Sequence, residues 1–385
     1  MSSPTNLIEF FFSRRFVFTK PPKKKILIYD SVGSEVLLKF LNKKEVEILN
    51  NRFEINFYVL FLMIFKLRFS FDIYKKIYCQ LVKPKIIITF IDNKVSFFKF
   101  KKLYPFAKTI FIQNGHRDNK TTDVFYLLKK FYKNNKSLHV DHMFCFGTGI
   151  AREYKRYIKG KVTVIGSIKN NMFLYKVKKE KKIKKTVSFI SQYRTNKIKK
   201  PNNLAVKSKE SFLVKDFYST ERILLPILSN YCKENKYKFK VIGCSAEIEE
   251  EKLFYRSLIK NNNFQFLPKV KNDISDCYKK IYNSEILVFI DSTLGYEALS
   301  RGIKTVTFHA RHPNKHVFGW PTQKKKKGPY WTNQVSLVEL NRLMNFIRTV
   351  KKKNWEKTLR TTLNSSIIFN KNNEKLKRIL SKIYE

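Results

Sequence analysis

Apolar and polar positions along the chain follow two periods, and the first half switches between them repeatedly. Short apolar runs fall at 25–30, 46–49, 85–92, 109–113, 142–146 and 161–165, and runs of this kind are buried on both faces of a parallel sheet. Between them, 35–41, 57–66, 73–82, 123–132 and 149–158 carry apolar residues at helical spacing. The alternation predicts βαβ units. A run of seven Lys with one Glu, one Val and one Ile across 176–185 reads as a solvated linker. A second series then begins, with strands at 186–191, 239–243, 264–267, 286–290 and 304–308, and helices at 221–235, 250–260, 274–283 and 336–350. The pattern predicts an α/β protein with two Rossmann-like domains facing across a cleft, at 1–175 and 186–350. A helical tail at 351–385 is predicted to pack back on the first domain.

A chain of 385 residues that is 43% hydrophobic and 15% aromatic can bury two such cores and is not disordered. Its formal charge of +49 would ordinarily point to nucleic acid. Lys is spread along nearly the whole chain beside Asn, Ile, Phe and Tyr, while Ala occurs at six positions. That is a compositional bias, and no specific nucleic-acid partner is expected. The excess still favours anionic partners, among them nucleotide diphosphates and an anionic inner-membrane surface. The five Cys form no C-x-x-C pair and are odd in number, which fits a reducing compartment. No signal peptide is visible, and the longest apolar run, 57–65, is too short to span a bilayer. The expected location is the cytoplasm, peripheral to the inner membrane. Phe10, Phe11, Phe12, Phe16 and Phe18 among Arg14, Arg15 and Lys20 suit a membrane interface or a core-packing element equally.

Candidate chemistry gathers in the turns after strands. The run from Ile286 to Gly302 reads as strand, polar turn and short helix. Ser292 and Thr293 stand where the helix begins, so their hydroxyls and the first amides suit a diphosphate, and Glu297, one turn on, suits ribose hydroxyls. An ordinary N-cap is the plainer alternative. Asp291, Gln192, Arg194 and Gly243 would share that rim, Arg194 offering a fork of donors and Gly243 close backbone approach. In the first half the matching turns hold Ser31 and Gly33, Asp92, and the stretch Asn114-Gly115-His116-Arg117-Asp118. An imidazole there suits a general base for an acceptor hydroxyl, with Asp118 orienting it and Asp92 in reserve. Ser31, Gly33, Asn114 and Arg117 are assigned to the acceptor.

His309, His312 and His316 have ligand-like spacing but no neighbouring Cys or carboxylate, and no metal is expected. The chain has no D-x-D pair, phosphate loop or G-x-G-x-x-G fingerprint, so a metal-held donor, ATPase chemistry and nicotinamide chemistry drop away. No cofactor is expected beyond a nucleotide sugar as co-substrate.

Ser191-Gln192-Tyr193-Arg194, Asp291 to Leu299 with Arg301-Gly302, Phe318-Gly319-Trp320-Pro321 and Gly328 to Asn333 together resemble the bacterial surface-carbohydrate (O-antigen or capsule) biosynthesis proteins, a group of GT-B-like glycosyltransferases. Gln113-Asn114-Gly115-His116-Arg117 is similar to the Gln-Asn-Gly turn of that group. The resemblance implies metal-independent transfer of a sugar from a nucleotide donor, held by the second domain, to a lipid-linked glycan acceptor held by the first. The layout more distantly resembles teichoic-acid glycerophosphotransferases, which carry His-Gly where this chain has Asn114-Gly115. Glycerol-phosphate transfer and a non-catalytic scaffold are the alternative functions.

Overall fold

A computed structural model describes residues 15–50, 53–65, 67, 70–117, 123–134, 138–173, 185–194, 216–259, 264–312, 316–317 and 326–384. The expected linker at 176–185 lies outside these residues except for Lys185. The chain forms two compact units. The first comprises 1–114, 128–145 and 154–163, and the second 115–127, 146–153 and 164–385.

In the first unit the strands β1 (Arg15–Val17), β2 (Ile26–Tyr29), β3 (Val46–Leu49), β4 (Glu54–Asn56), β5 (Ile86–Thr89), β6 (Lys108–Ile112), β7 (His139–Cys145) and β8 (Lys159–Val164) appear in chain order. Six of them make a sheet in the order β3-β2-β5-β6-β7-β8, with β3 to β7 parallel. The short strands β1 and β4 pair apart from it. The inner strands β2, Ile-Leu-Ile-Tyr, and β5, Ile-Ile-Ile-Thr, are buried along their whole length, as a sheet covered on two faces requires. The helix Phe71–Val82 starts at Ser70, whose hydroxyl accepts the Ile73 amide at 3.2 Å, and stops at Lys83, in the left-handed conformation.

The second unit carries β9 (Thr186–Ile190), β10 (Lys238–Ile242), β11 (Phe264–Leu267), β12 (Ile286–Phe289), β13 (Thr305–Phe308), β14 (Ala310–His312), β15 (His316–Val317) and β16 (Trp331–Thr332). Its main sheet is parallel throughout, in the order β11-β10-β9-β12-β13-β16. The helix Thr293–Ser300 lies so close to β12 that a Cβ on Gly295 would come within 2.5 Å of the Phe289 ring. Only glycine allows that approach. The helices Leu337–Thr349, Lys352–Leu363 and Glu374–Tyr384 follow, and Leu340, Leu343, Trp355 and Leu359 join the core of this unit.

The tail folds back on a segment from the first half of the chain, 146–149, that belongs to the same second unit. Thr148 and Gly149 donate their amides to the carbonyls of Asn364 (3.1 Å) and Ser365 (2.9 Å), and Ile368 donates to Phe146 (3.0 Å). Gly147 sits under this crossing: a Cβ there would be 2.4 Å from the Ser366 carbonyl carbon. Among the described residues no helix is long and apolar enough to cross a membrane.

Candidate active site

Doubly wound sheets bind ligands beyond the carboxyl ends of their strands, where the strand order reverses. In the second unit that point lies between β9 and β12. Gln192 follows the first strand and Asp291-Ser292-Thr293 the second, so the polar turns meet there because their strands are neighbours. Ser292 is the N-cap, extended at φ −73° and ψ 131°, and its hydroxyl makes no cap hydrogen bond. The first amides to bond inside the helix are those of Gly295 (3.0 Å) and Tyr296 (3.4 Å), both to the Ser292 carbonyl. The amides of Thr293 and Leu294 find no partner among the described residues. Two open donors at the positive end of the helix make an anion site.

The segment Gly115–Arg117 lies on this helix start. His116 donates its amide to Thr293 Oγ1 at 3.0 Å, and its Nε2 is 2.8 Å from Ser366 Oγ. Its ring stacks on that of Tyr296, whose hydroxyl bonds His309 Nε2 at 3.1 Å. Burial, with His309 and Arg117 adding to it, holds the His116 pKa well below 6.5. The imidazole is therefore neutral near pH ~7 and keeps one nitrogen lone pair. Burial likewise pushes His309 down to about 3 against the pull of Asp291. Arg117 Nη1 donates to the His116 carbonyl at 3.1 Å.

Arg311 is the residue that sequence reasoning missed. It is 1% exposed, its guanidinium carbon lies 4.3 Å from the Phe217 centroid, and its Nε donates to Asp291 Oδ2 at 3.0 Å. The two Nη groups donate to Asp291 Oδ1 (2.5 Å), Glu221 Oε1 and Gln192 Oε1. Burial works against the guanidinium charge, but Asp291 and Glu221 outweigh it and its pKa rises. Burial raises the Glu221 pKa, with Arg311 opposing. The guanidinium thus locks Gln192 and Asp291 to each other across the strand reversal. Its place just past β13 was the available signal, obscured by the general excess of basic residues. Ser366 lies in no motif and had no signal at all.

Two expected donor contacts sit elsewhere. Glu297 is 4% exposed, and its carboxylate accepts from Ser167 Oγ (2.5 Å) and Tyr278 Oη (2.9 Å). It holds elements of the unit together instead of facing a ribose. Gly243 packs against protein: a Cβ would lie 2.8 Å from the Phe266 ring and 3.0 Å from Glu251 Oε2. Arg194 is exposed, its guanidinium 5.9 Å from the Phe217 centroid and its amide bonded to Tyr218 Oη at 2.8 Å.

In the first unit, Ser31 Oγ donates to Asn50 Oδ1 at 2.7 Å, Gly33 turns at φ 77° against Phe90, and the Asn114 amide reaches Asp92 Oδ1 at 3.4 Å. Asp118 lies outside the described residues. So does Phe318-Gly319-Trp320-Pro321. Among the described residues no group of three or more His, Cys, Asp or Glu side chains is placed to hold a metal.

A protein family described as "putative O-antigen biosynthesis protein" matches residues 110–384. No curated protein matches in sequence. Among solved structures, the wall teichoic acid polymerase TagF is 13% identical, with a TM-score of 0.51 over 94% of this chain and 89% of that one. A UDP-GlcNAc 2-epimerase from Neisseria meningitidis, bound to UDP-GlcNAc, is 12% identical with a TM-score of 0.49, over 93% of this chain and 98% of that one. The likeness to the polymerase is one of fold, two Rossmann-like units of the GT-B type.

Proposed function

Because this chain belongs to the O-antigen biosynthesis protein family, we propose that it is a glycosyltransferase moving a sugar from a nucleotide-activated donor to a lipid-linked surface-polysaccharide acceptor at the cytoplasmic face of the inner membrane. The observation that carries the reading is the pair of open amides, Thr293 and Leu294, beneath the neutral imidazole of His116. The donor diphosphate takes those amides and the Thr293 hydroxyl, with Ser292 beside them and Arg194 as the exposed cation at the same rim. Gln192 and Asp291 border the nucleotide, held in place by Arg311. Strand-end turns carrying Ser31, Gly33 and Asn114, with Arg117, are assigned to the acceptor.

With Nε2–H donated to Ser366, the lone pair of His116 sits on Nδ1. The acceptor oxygen attacks the anomeric carbon, its proton passes to that nitrogen, and the bond to the diphosphate oxygen breaks with the electron pair leaving on the nucleotide. Charge on the leaving group is met by the helix amides and Arg194, with no metal required.

A thermal-shift panel of UDP, GDP and CMP sugars with CDP-glycerol tests the proposal. The matching nucleotide sugar at ~100 times its dissociation constant should stabilise the chain by about 2.7 kcal/mol, and Thr293→Ala should cut the shift to about half. A response to CDP-glycerol alone would replace sugar transfer by glycerol-phosphate transfer. No response to any nucleotide would leave a scaffold.

A further inference from the structure

The helix Phe57–Phe65 of the first unit, sequence Phe-Tyr-Val-Leu-Phe-Leu-Met-Ile-Phe, has no charged residue in its nine positions. Only Val59 and Met63 are buried. A helix on the surface of a water-facing domain turns a polar face outward, but this one presents Phe61 (56% exposed), Ile64 and Phe65 (71%). The neighbouring elements extend the apolar face. Phe16 and Phe18 both pack on Phe57, at 5.1 and 5.0 Å between centroids, and Phe18 remains 71% exposed. Side chains alternate along an extended segment. Accordingly Val17 and Thr19 point the other way, into a cavity they share with Glu47, Glu54 and Asn56. The carboxylates of that cavity thus lie on the side away from the aromatic face.

Lys20 lies over the Tyr58 ring of this helix, 5.9 Å from its centroid, and Lys20, Lys23 and Lys76 are exposed in the flanking segments. Asp72, on the next helix, is answered by Lys75 (2.9 Å) and Lys99 (3.4 Å). A cluster of exposed large apolar side chains marks an interaction surface, and an apolar face flanked by cations matches hydrocarbon behind an anionic headgroup layer. We propose that the face built by Phe16, Phe18, Phe61, Ile64 and Phe65 docks the protein on an anionic lipid bilayer, the rings entering the headgroup boundary and the flanking cations meeting the lipid charge. The helix is too short to cross, so the attachment is in the plane of the interface. This surface is independent of the nucleotide site and of whatever group is transferred.

Co-sedimentation of the full chain with vesicles tests it. The protein should pellet with vesicles containing phosphatidylglycerol, bind those of phosphatidylcholine alone far less, and be released by added salt. Phe61→Ser with Phe65→Ser should weaken partitioning about tenfold or more while the thermal melt stays native, since both side chains are exposed. Independently, Phe65→Trp should shift its emission to the blue on vesicles and be quenched by lipids brominated along the acyl chain. Unchanged partitioning of the double variant, or an indole that brominated lipid does not quench, would overturn the proposal. So would a dimer in sedimentation velocity that the double variant dissolves while vesicle binding stays as it was, because the face would then belong to a second copy.

Discussion

The imidazole of His116 lies flat on the phenol ring of Tyr296, with centroids 3.5 Å apart and planes 5° from parallel. Together with the Thr293 contact on its backbone and Ser366 on Nε2, the stack leaves the ring little freedom to turn. The base proposed here works by position more than by strength. Replacement of His116 by Ala should lower kcat by about 10²–10⁴-fold with donor affinity little changed. Because its pKa lies below 6.5, the acidic limb of kcat/KM should fall below that value and be missing from the variant. A near-wild-type kcat at saturating acceptor would transfer the role to a carboxylate such as Asp92.

Thr293 and Glu297 should separate cleanly in binding experiments. Loss of the Thr293 hydroxyl removes a hydrogen bond to a charged group and should weaken nucleotide binding about tenfold. Glu297→Gln should leave affinity unchanged and lower the melting temperature, since its oxygens are engaged by Ser167 and Tyr278. Calorimetry on both variants checks this, and a large affinity loss in Glu297→Gln would return that residue to the ligand.

Arg311→Met strands Glu221 in a fully buried position and removes the partner of Asp291. One-sided removal of a buried ion pair costs about 3–5 kcal/mol, measurable as a shift in the urea midpoint. Adding Glu221→Gln should recover part of the loss, as no buried carboxylate is then left facing an apolar side chain.

Acid should destabilise the fold earlier than carboxylate titration would. His309 titrates near 3 in the folded state against 6.5 when unprotected, and His142 near 4, burial being the main cause in each. The unfolded chain takes up these protons first, so the contribution of the two histidines is constant above 6.5 and drains as the pH falls below it. For His309 the loss is about 1.4 kcal/mol per pH unit, or about 2 kcal/mol by pH ~5. Melting temperatures of His309→Gln across this range should form a flatter curve than those of the wild type.

Transfer should persist in excess EDTA, because the proposed leaving-group contacts are amides, a hydroxyl and Arg194. Activity that EDTA abolishes and Mg²⁺ restores would show that a cation takes their place.

The parallel sheets were legible because strands buried on two faces must be apolar without interruption, as Ile286–Phe289 and Ile26–Tyr29 are. Thr293 and His116 were legible for a related reason: each directly follows a strand or its turn, where chain order alone fixes position. Glu297 was misread because the direction of a helical side chain depends on what packs against it, here Ser167 and Tyr278 from other elements. Arg311 needed two carboxylates, 20 and 90 residues away in sequence, before its burial made sense. The short pairing of Arg15–Val17 with Glu54–Asn56 was hidden because three residues carry too little period to distinguish strand from loop.

The bond between His116 and Ser366 spans 250 positions, and that separation sets a clock. On a ribosome adding about 5–20 residues per second, roughly 10–50 s pass between the emergence of the imidazole and that of the hydroxyl that steadies it. Thr293 arrives 177 positions after His116, and the serine later still. Until Ser366 is made, the nascent chain carries the imidazole without the hydroxyl that steadies it, so the proposed base is the last part of the site to be fixed in place.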